Sequence, residues 1–216
     1  MALRCKAFLF DLDGVLVDSR AVVERTWRRW AAERHPIDVE RVLHIAHGRR
    51  AMDTLRIMAP SFANAEEVAW LDATELVDVE GLRIIPGARE LVTALPRDRW
   101  AIVTSCGRDL ARLRLSSVGV AAPDIMVVAE DAKLGKPAPD GYLLGAERLG
   151  VAPGECIVFE DAPAGVAAGK AAGARVIALT TNYEPKDLGE ADATIPDLRS
   201  VQVRANGDSF MVTAGR

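Results

Sequence analysis

Hydrophobic positions fall in two rhythms along this 216-residue chain. Ala7 to Phe10 is a short apolar run that stops abruptly at Asp11-Leu12-Asp13-Gly14; its length and the bounding glycine predict a buried strand. Between Ala21 and Arg34 the rhythm changes, with Val22, Val23, Thr26, Trp27, Trp30 and Ala31 recurring at helical spacing. Helical patterns follow near 38–46, 50–58 and 66–79, with no strand between them. Pro86-Gly87 marks a return, and Ala88 to Leu95 predicts a short helix. From Trp100 onward strand and helix patterns alternate: 100–104, 108–117, 125–129, 139–149, 155–160, 162–172 and 175–180. A further strand is expected at 193–195. Asn206-Gly207 between alternating segments predicts a terminal β-hairpin over 201–213.

Strands that alternate with helices predict a parallel sheet with right-handed crossovers. The helical block then has to be an insertion that leaves the tip of the first strand and roofs whatever lies there. The expected fold is α/β: a doubly wound, Rossmann-like core formed by residues 1–16 and 87–216, an α-helical cap domain inserted over 17–86, and a C-terminal β-hairpin. All three histidines (His35, His44, His47) and a group of arginines fall in the cap.

Composition narrows the partners more than the fold. A net charge of −4 offers no basic field for nucleic acid or an anionic membrane. No apolar run approaches the roughly 18 residues of a membrane span, and Asp11 and Asp13 interrupt the N-terminal run, so a secretory signal is not expected. Cys5, Cys106 and Cys156 are scattered and odd in number, which fits reduced thiols and a cytoplasmic location. A monomer is the default.

The chemistry gathers at strand ends. In open α/β sheets the working residues sit just past the carboxyl ends of the strands. Asp11 and Asp13 project the same way from an extended backbone, and carboxylates that close raise each other's proton affinity unless a cation intervenes. Ala101-Ile102-Val103 leads into Thr104-Ser105, Gly135-Lys136-Pro137 sets a lysine before the helix at 139–149, and Ile157-Val158-Phe159 leads into Glu160-Asp161. Clustered carboxylates make a hard-oxygen site for Mg²⁺. A hydroxyl, helix N-terminal amides and an ammonium suit a phosphoryl dianion. Each piece also has an ordinary reading: Thr104 as a helix cap, Lys136 as a solvated loop residue, Glu160-Asp161 as a helix start. Their arrival at successive strand ends favours the functional one.

In these residues the chain resembles the haloacid dehalogenase superfamily of phosphohydrolases. Its four motifs match in order: Asp11-Leu12-Asp13-Gly14, Val103-Thr104-Ser105, Gly135-Lys136-Pro137 and Glu160-Asp161. His47-Gly48-Arg49-Arg50 and Val158-Phe159-Glu160-Asp161-Ala162-Pro163-Ala164-Gly165 look like the yeast-type glycerol-1-phosphatase and 2-deoxyglucose-6-phosphatase group, which shares the β-phosphoglucomutase-type architecture. The resemblance implies Asp11 as nucleophile, Asp13 as general acid and base, and Thr104, the Ser105 amide and Lys136 as ligands of the phosphoryl oxygens. It implies Mg²⁺ held by the Asp11 carboxylate, the Asp13 main-chain carbonyl and Asp161, with Glu160 acting through water. The implied substrate is a small sugar or polyol phosphate monoester.

The acid at Asp13 argues against dehalogenase or phosphonatase chemistry. Mutase-type relatives carry a histidine early in the first cap helix where this chain has Val23, which favours hydrolysis over a phosphosugar mutase. Gly48, Arg49 and Arg50 are the cap candidates for substrate contact, because planar guanidinium suits hydroxyls and phosphate; arginine on a short helix is as often solvated. Trp27 and Trp30 are expected to pack the cap. The Cys-x5-Arg spacing of Cys106 and Arg112 mimics thiol phosphatases, but Asp109 would put negative charge in the cradle. Gly165 to Lys170 is one residue short of a Walker loop, with Ala171 where a hydroxyl belongs. A phosphoacceptor signalling module is the reading from another class. It combines the same residue types on a doubly wound sheet, but lacks an inserted cap.

Overall fold

The computed structural model describes residues 1–34 and 37–215, so His35 lies outside it. The chain opens with two strands, Ala2–Cys5 (β1) and Ala7–Phe10 (β2), where the sequence pattern predicts one. Val17–Asp18 (β3) pairs antiparallel with Arg83–Ile84 (β4), and this two-strand ribbon is the neck of the helical insertion. Between its strands lie Arg20–Glu33 (α1), Val39–Ala46 (α2), Ala51–Met58 (α3) and Ala65–Leu76 (α4). Asp38 and Asn64 start α2 and α4 by accepting from the main-chain N–H of Arg41 and Glu67, which satisfies donors that a helix leaves open.

After the neck come Ala88–Ala94 (α5), Trp100–Val103 (β5), Arg108–Ser117 (α6), Met126–Val127 (β6), Asp140–Arg148 (α7), Cys156–Glu160 (β7), Pro163–Ala171 (α8), Arg175–Leu179 (β8) and Ala193–Ile195 (β9). Six strands form one parallel sheet in the order β6-β5-β2-β7-β8-β9. The strand that ends at Asp11 is therefore central, buried at every position. A parallel sheet of this kind needs cover on both faces, and alternation along β2 supplies it. Phe8 and Phe10 face one layer with α5 and α6, while Ala7 and Leu9 face the other with α7 and α8. Phe10 stacks on Phe159 of β7 with centroids 4.8 Å apart, and Trp100 of β5 meets its edge at 5.9 Å. These rings tie the three central strands together beneath the site.

The tail is larger than a hairpin. Val201–Asn206 (β10) and Ser209–Ala214 (β11) pair as expected, but β11 also pairs with β1, Leu3 opposite Val212, in a three-stranded antiparallel sheet. Four residues with only Leu3 and Cys5 turned inward give too short a pattern to read, and the partner strand lies some two hundred positions away. The cap helices keep a core of their own around Trp27, Trp30, Val42, Leu43, Leu55 and Leu71. Trp27 and Trp30 meet edge to face at 5.4 Å, and the Trp30 indole donates to Glu67 at 2.7 Å. Among the described residues no helix is long and apolar enough to cross a membrane.

Candidate active site

The carboxyl ends of β2, β5 and β7 bring Asp11, Thr104 and Glu160-Asp161 to one place, and the loop before α7 adds Lys136. The Lys136 ammonium lies 3.0 Å from Asp11 Oδ1 and donates to Glu160 Oε1 at 2.6 Å. Tyr142 of α7 donates to the same Glu160 oxygen at 2.8 Å. Glu160 Oε2 accepts from the main-chain N–H of Asp161 at 2.8 Å and of Ala162 at 3.1 Å. Both oxygens of this fully buried carboxylate are thus occupied, and Glu160 fixes Lys136 and the turn into α8. Gly165 allows this, because a Cβ there would collide with the Glu160 carboxylate. Gly14 serves the Asp161 side of the site in the same way: its φ is +74°, and a side chain there would strike Asp161.

Burial is the largest influence on Asp11 and pushes its carboxyl up to about 7; Glu160 and Asp13 add to the rise and Lys136 opposes it. Asp161 is raised well above the ordinary carboxylate range, first by burial, then by Glu160 and Asp11, against hydrogen bonding from Asn182 at 2.6 Å. Lys136 moves upward, since Asp11 and Glu160 outweigh the burial that opposes its charge. Carboxylate oxygens of Asp11, Glu160 and Asp161 lie within 4.8 Å of one another. Among the described residues Asp161 Oδ1 is buried without a hydrogen-bond partner, and Asp11 Oδ1 meets only the Lys136 ammonium. Buried hard-oxygen acceptors that converge in this way, one of them unpartnered, fit a small divalent cation, and Mg²⁺ is suited to such a donor set.

Asp13 is held differently. Its Oδ1 accepts from Ser19 Oγ at 2.6 Å and its Oδ2 from Arg114 of α6 at 2.5 Å. The other terminal nitrogen of Arg114 bonds Glu75 of α4, so one buried guanidinium joins the catalytic edge of the core to the cap. Burial works against the Arg114 charge, but Asp13 and Glu75 outweigh it and hold the group firmly protonated.

Over this floor lies a cavity of about 280 Å³ between core and cap. Asp11, Asp13, Thr104 and Ser105 line it from below, and His47, Gly48, Arg49, Arg50, Asp72 and Glu75 from above. Gly48 meets the core directly, its carbonyl accepting from Ser105 Oγ at 2.9 Å. The two candidate arginines lean on the lysine loop: Arg50 donates to the Ala132 carbonyl at 2.8 Å, Arg49 to that of Lys136 at 3.4 Å. Thr104 does not cap α6, whose N-cap is Gly107; its Oγ1 accepts from the Cys106 N–H at 3.2 Å.

Neither decoy assembles. Burial pushes the Cys106 thiol up to about 12, and Arg112 is exposed, so no thiolate is cradled by that arginine. Gly165 to Lys170 lies inside α8, where Lys170 pairs with Asp192 at 2.8 Å. The residues that the motif reading passed over are Ser19, Asp72, Glu75, Arg114, Tyr142 and Asn182. Arg114 left a trace in sequence: it shares the helical stripe of Leu110, Ala111 and Leu115, where an unpaired charge is out of place. Asn182, in the loop after β8, left none.

Residues 5–173 match the haloacid dehalogenase-like hydrolase family. Over 213 residues the chain is 45% identical to hexitol phosphatase A of Escherichia coli, covering 95% of this chain and 98% of that protein. It is 36% identical to glycerol-1-phosphate phosphohydrolase 2 of Saccharomyces cerevisiae, covering 96% and 87% respectively. A hydrolase of known structure from Pseudomonas syringae superposes with a TM-score of 0.79 at 28% identity, over 90% of this chain and 94% of that one. With an acid cluster, lysine and roofed cavity at the strand tips of a parallel sheet, and with these similarities spanning nearly its whole length, the chain belongs to the haloacid dehalogenase-like hydrolases.

Proposed function

We propose that the protein is a Mg²⁺-dependent phosphatase that hydrolyses a small sugar or polyol phosphate monoester through an aspartyl-phosphate on Asp11. One observation carries the reading: among the described residues Asp161 leaves a buried carboxylate oxygen unpartnered close to Asp11, whose Oδ1 meets the Lys136 ammonium and whose carboxylate lies on the floor of the cavity between core and cap. The relatives named for hexitol and glycerol-1-phosphate hydrolysis supply the substrate class.

In this reading Asp11 attacks phosphorus in line, splitting one difficult displacement into two easier ones. Asp13 gives its proton to the leaving alkoxide, then takes one from the water that hydrolyses the acyl phosphate. Ser19 and Arg114 fix the Asp13 carboxylate for both transfers. Lys136, the Thr104 hydroxyl and the Ser105 amide bind the phosphoryl oxygens, and Glu160 keeps Lys136 in place. Asp11, Asp161 and the Asp13 carbonyl would hold Mg²⁺, which when bound offsets the charge between carboxylate and phosphate. Residues 17–86 act as the cap that excludes water, with Gly48, Arg49 and Arg50 along its lower edge.

The test is a panel of sugar and polyol phosphates assayed with purified protein, with Mg²⁺ or with EDTA. Repeated release of inorganic phosphate that EDTA abolishes is the expected result. A single labelling of Asp11 without turnover would make the protein a phosphoacceptor module, and isomerised ester without free phosphate would make it a mutase.

A further inference from the structure

The cavity carries acids on the cap side as well as on the core side, where Asp11, Asp13 and Glu130 line it. Its far wall belongs to α4, which presents Val68, Leu71, Asp72 and Glu75. Asp72 and Glu75 are three residues apart and so share one helix face. Glu75 is consumed by Arg114. Asp72 has no such partner: among the described residues its half-buried carboxylate makes neither a hydrogen bond nor an ion pair, yet it lines the cavity.

Two cations near the cavity are paired with carboxylates. Arg114 is held by Asp13 and Glu75, and Lys136 by Asp11 and Glu160. Arg49 and Arg50 donate to main-chain carbonyls of Lys136 and Ala132. An ester whose phosphate sits over Asp11 and Lys136 therefore extends its other end toward Asp72, an acceptor with no donor among the described residues, while Arg49 and Arg50, bonded to neutral carbonyls, lean on the lysine loop. A hydroxyl is a neutral group that satisfies a bare carboxylate. A carboxylate or second phosphate would meet like charge there.

Resting on the phosphatase reading above, we propose that Asp72 is a specificity-determining residue that accepts hydrogen bonds from the substrate's hydroxyls, selecting uncharged polyhydroxy chains and rejecting esters with a second anionic group. A hydrogen bond to a charged group accounts for roughly tenfold to a hundredfold in affinity. The same carboxylate acts as the repulsive element that specificity requires against the wrong substrate.

Three six-carbon esters separate the contributions: a hexitol 6-phosphate, hexyl phosphate with no hydroxyls, and 6-phosphogluconate with a terminal carboxylate. Wild-type kcat/KM is expected to be highest for the hexitol ester. Asp72→Ala is expected to reduce the hexitol-to-hexyl ratio of kcat/KM at least tenfold, mainly through KM. Asp72→Asn, which keeps the shape and removes the charge, is expected to narrow the gap between the hexitol ester and 6-phosphogluconate by about tenfold. Phosphate release with both ratios within twofold of wild type in both variants would overturn this assignment and leave the phosphatase reading standing. No phosphate release from any of the three esters by the wild-type protein would overturn both.

Discussion

Arg114 donates to Asp13 Oδ2 at 2.5 Å from a side chain that is almost wholly buried. Because Glu75 takes the opposite end of the same guanidinium, the proposed acid–base residue and the cap are seated by one group. Removing one member of a buried ion network leaves its partners charged and uncompensated, at a cost of about 3–5 kcal/mol. Arg114→Met is expected to lose stability on that scale in urea unfolding and to lower kcat, while Glu75→Gln loses less of both. An unfolding curve for Arg114→Met that overlays the wild type would show that the network holds nothing.

Asp11 is the proposed nucleophile in a crowded acidic cluster, so function and stability pull apart there. Asp11→Asn is expected to reduce phosphate release by at least about 10³ while the circular dichroism spectrum stays unchanged. Replacing one of the mutually repelling buried acids should also raise the melting temperature in EDTA. Turnover at the wild-type rate would remove Asp11 from the mechanism.

The acids also set a pH dependence. Asp11 sits at about 7 in the folded protein against an ordinary value near 4, and Asp161 shifts in the same direction. The folded, metal-free protein thus binds protons that the unfolded chain has released, and by linkage it loses stability as pH rises from about 4 through 7. In the proposed function Mg²⁺ is held by the ionised carboxylates, so adding it should reverse this. The expected outcome is a melting temperature in EDTA that falls between pH 5 and pH 7.5, with a stabilisation by Mg²⁺ that grows over the same range. A stabilisation that is equal at both pH values would argue against metal on Asp11 and Asp161.

Thr104 and Cys106 are neighbours with opposite expectations. Losing one preorganised donor to the transferring group costs about 10²–10³ in rate, so Thr104→Ala should fall by that factor. Cys106→Ser should retain activity within a few-fold, because burial keeps its thiol protonated. Steady-state kinetics on a single ester separate the two, and a collapse in Cys106→Ser would revive the thiol reading.

The parallel sheet and its acidic edge were legible from one dimension because they rest on local signals. Buried strands such as Ala7–Phe10 and Cys156–Glu160 are unbroken apolar runs, and a run that stops at Asp11 or Glu160 announces its own carboxyl end. Alternation with helices makes the strands parallel, and parallel strands place those ends on one side. The cap was visible for the same reason, as amphipathic helices without strands between them.

What the sequence by itself determined, then, was the fold class and which residues stand at the strand tips. Only the tertiary structure decided how they are used. It gave both oxygens of Glu160 to Lys136, Tyr142 and two main-chain amides, turned Arg49 and Arg50 onto the lysine loop, joined β1 to β11, and ran Arg114 between Asp13 and Glu75. Each of these contacts joins segments brought together by packing, except the amides that follow Glu160 directly. Periodicity reports which side of an element is buried, whereas the partner that a buried polar group finds depends on which element folds against it.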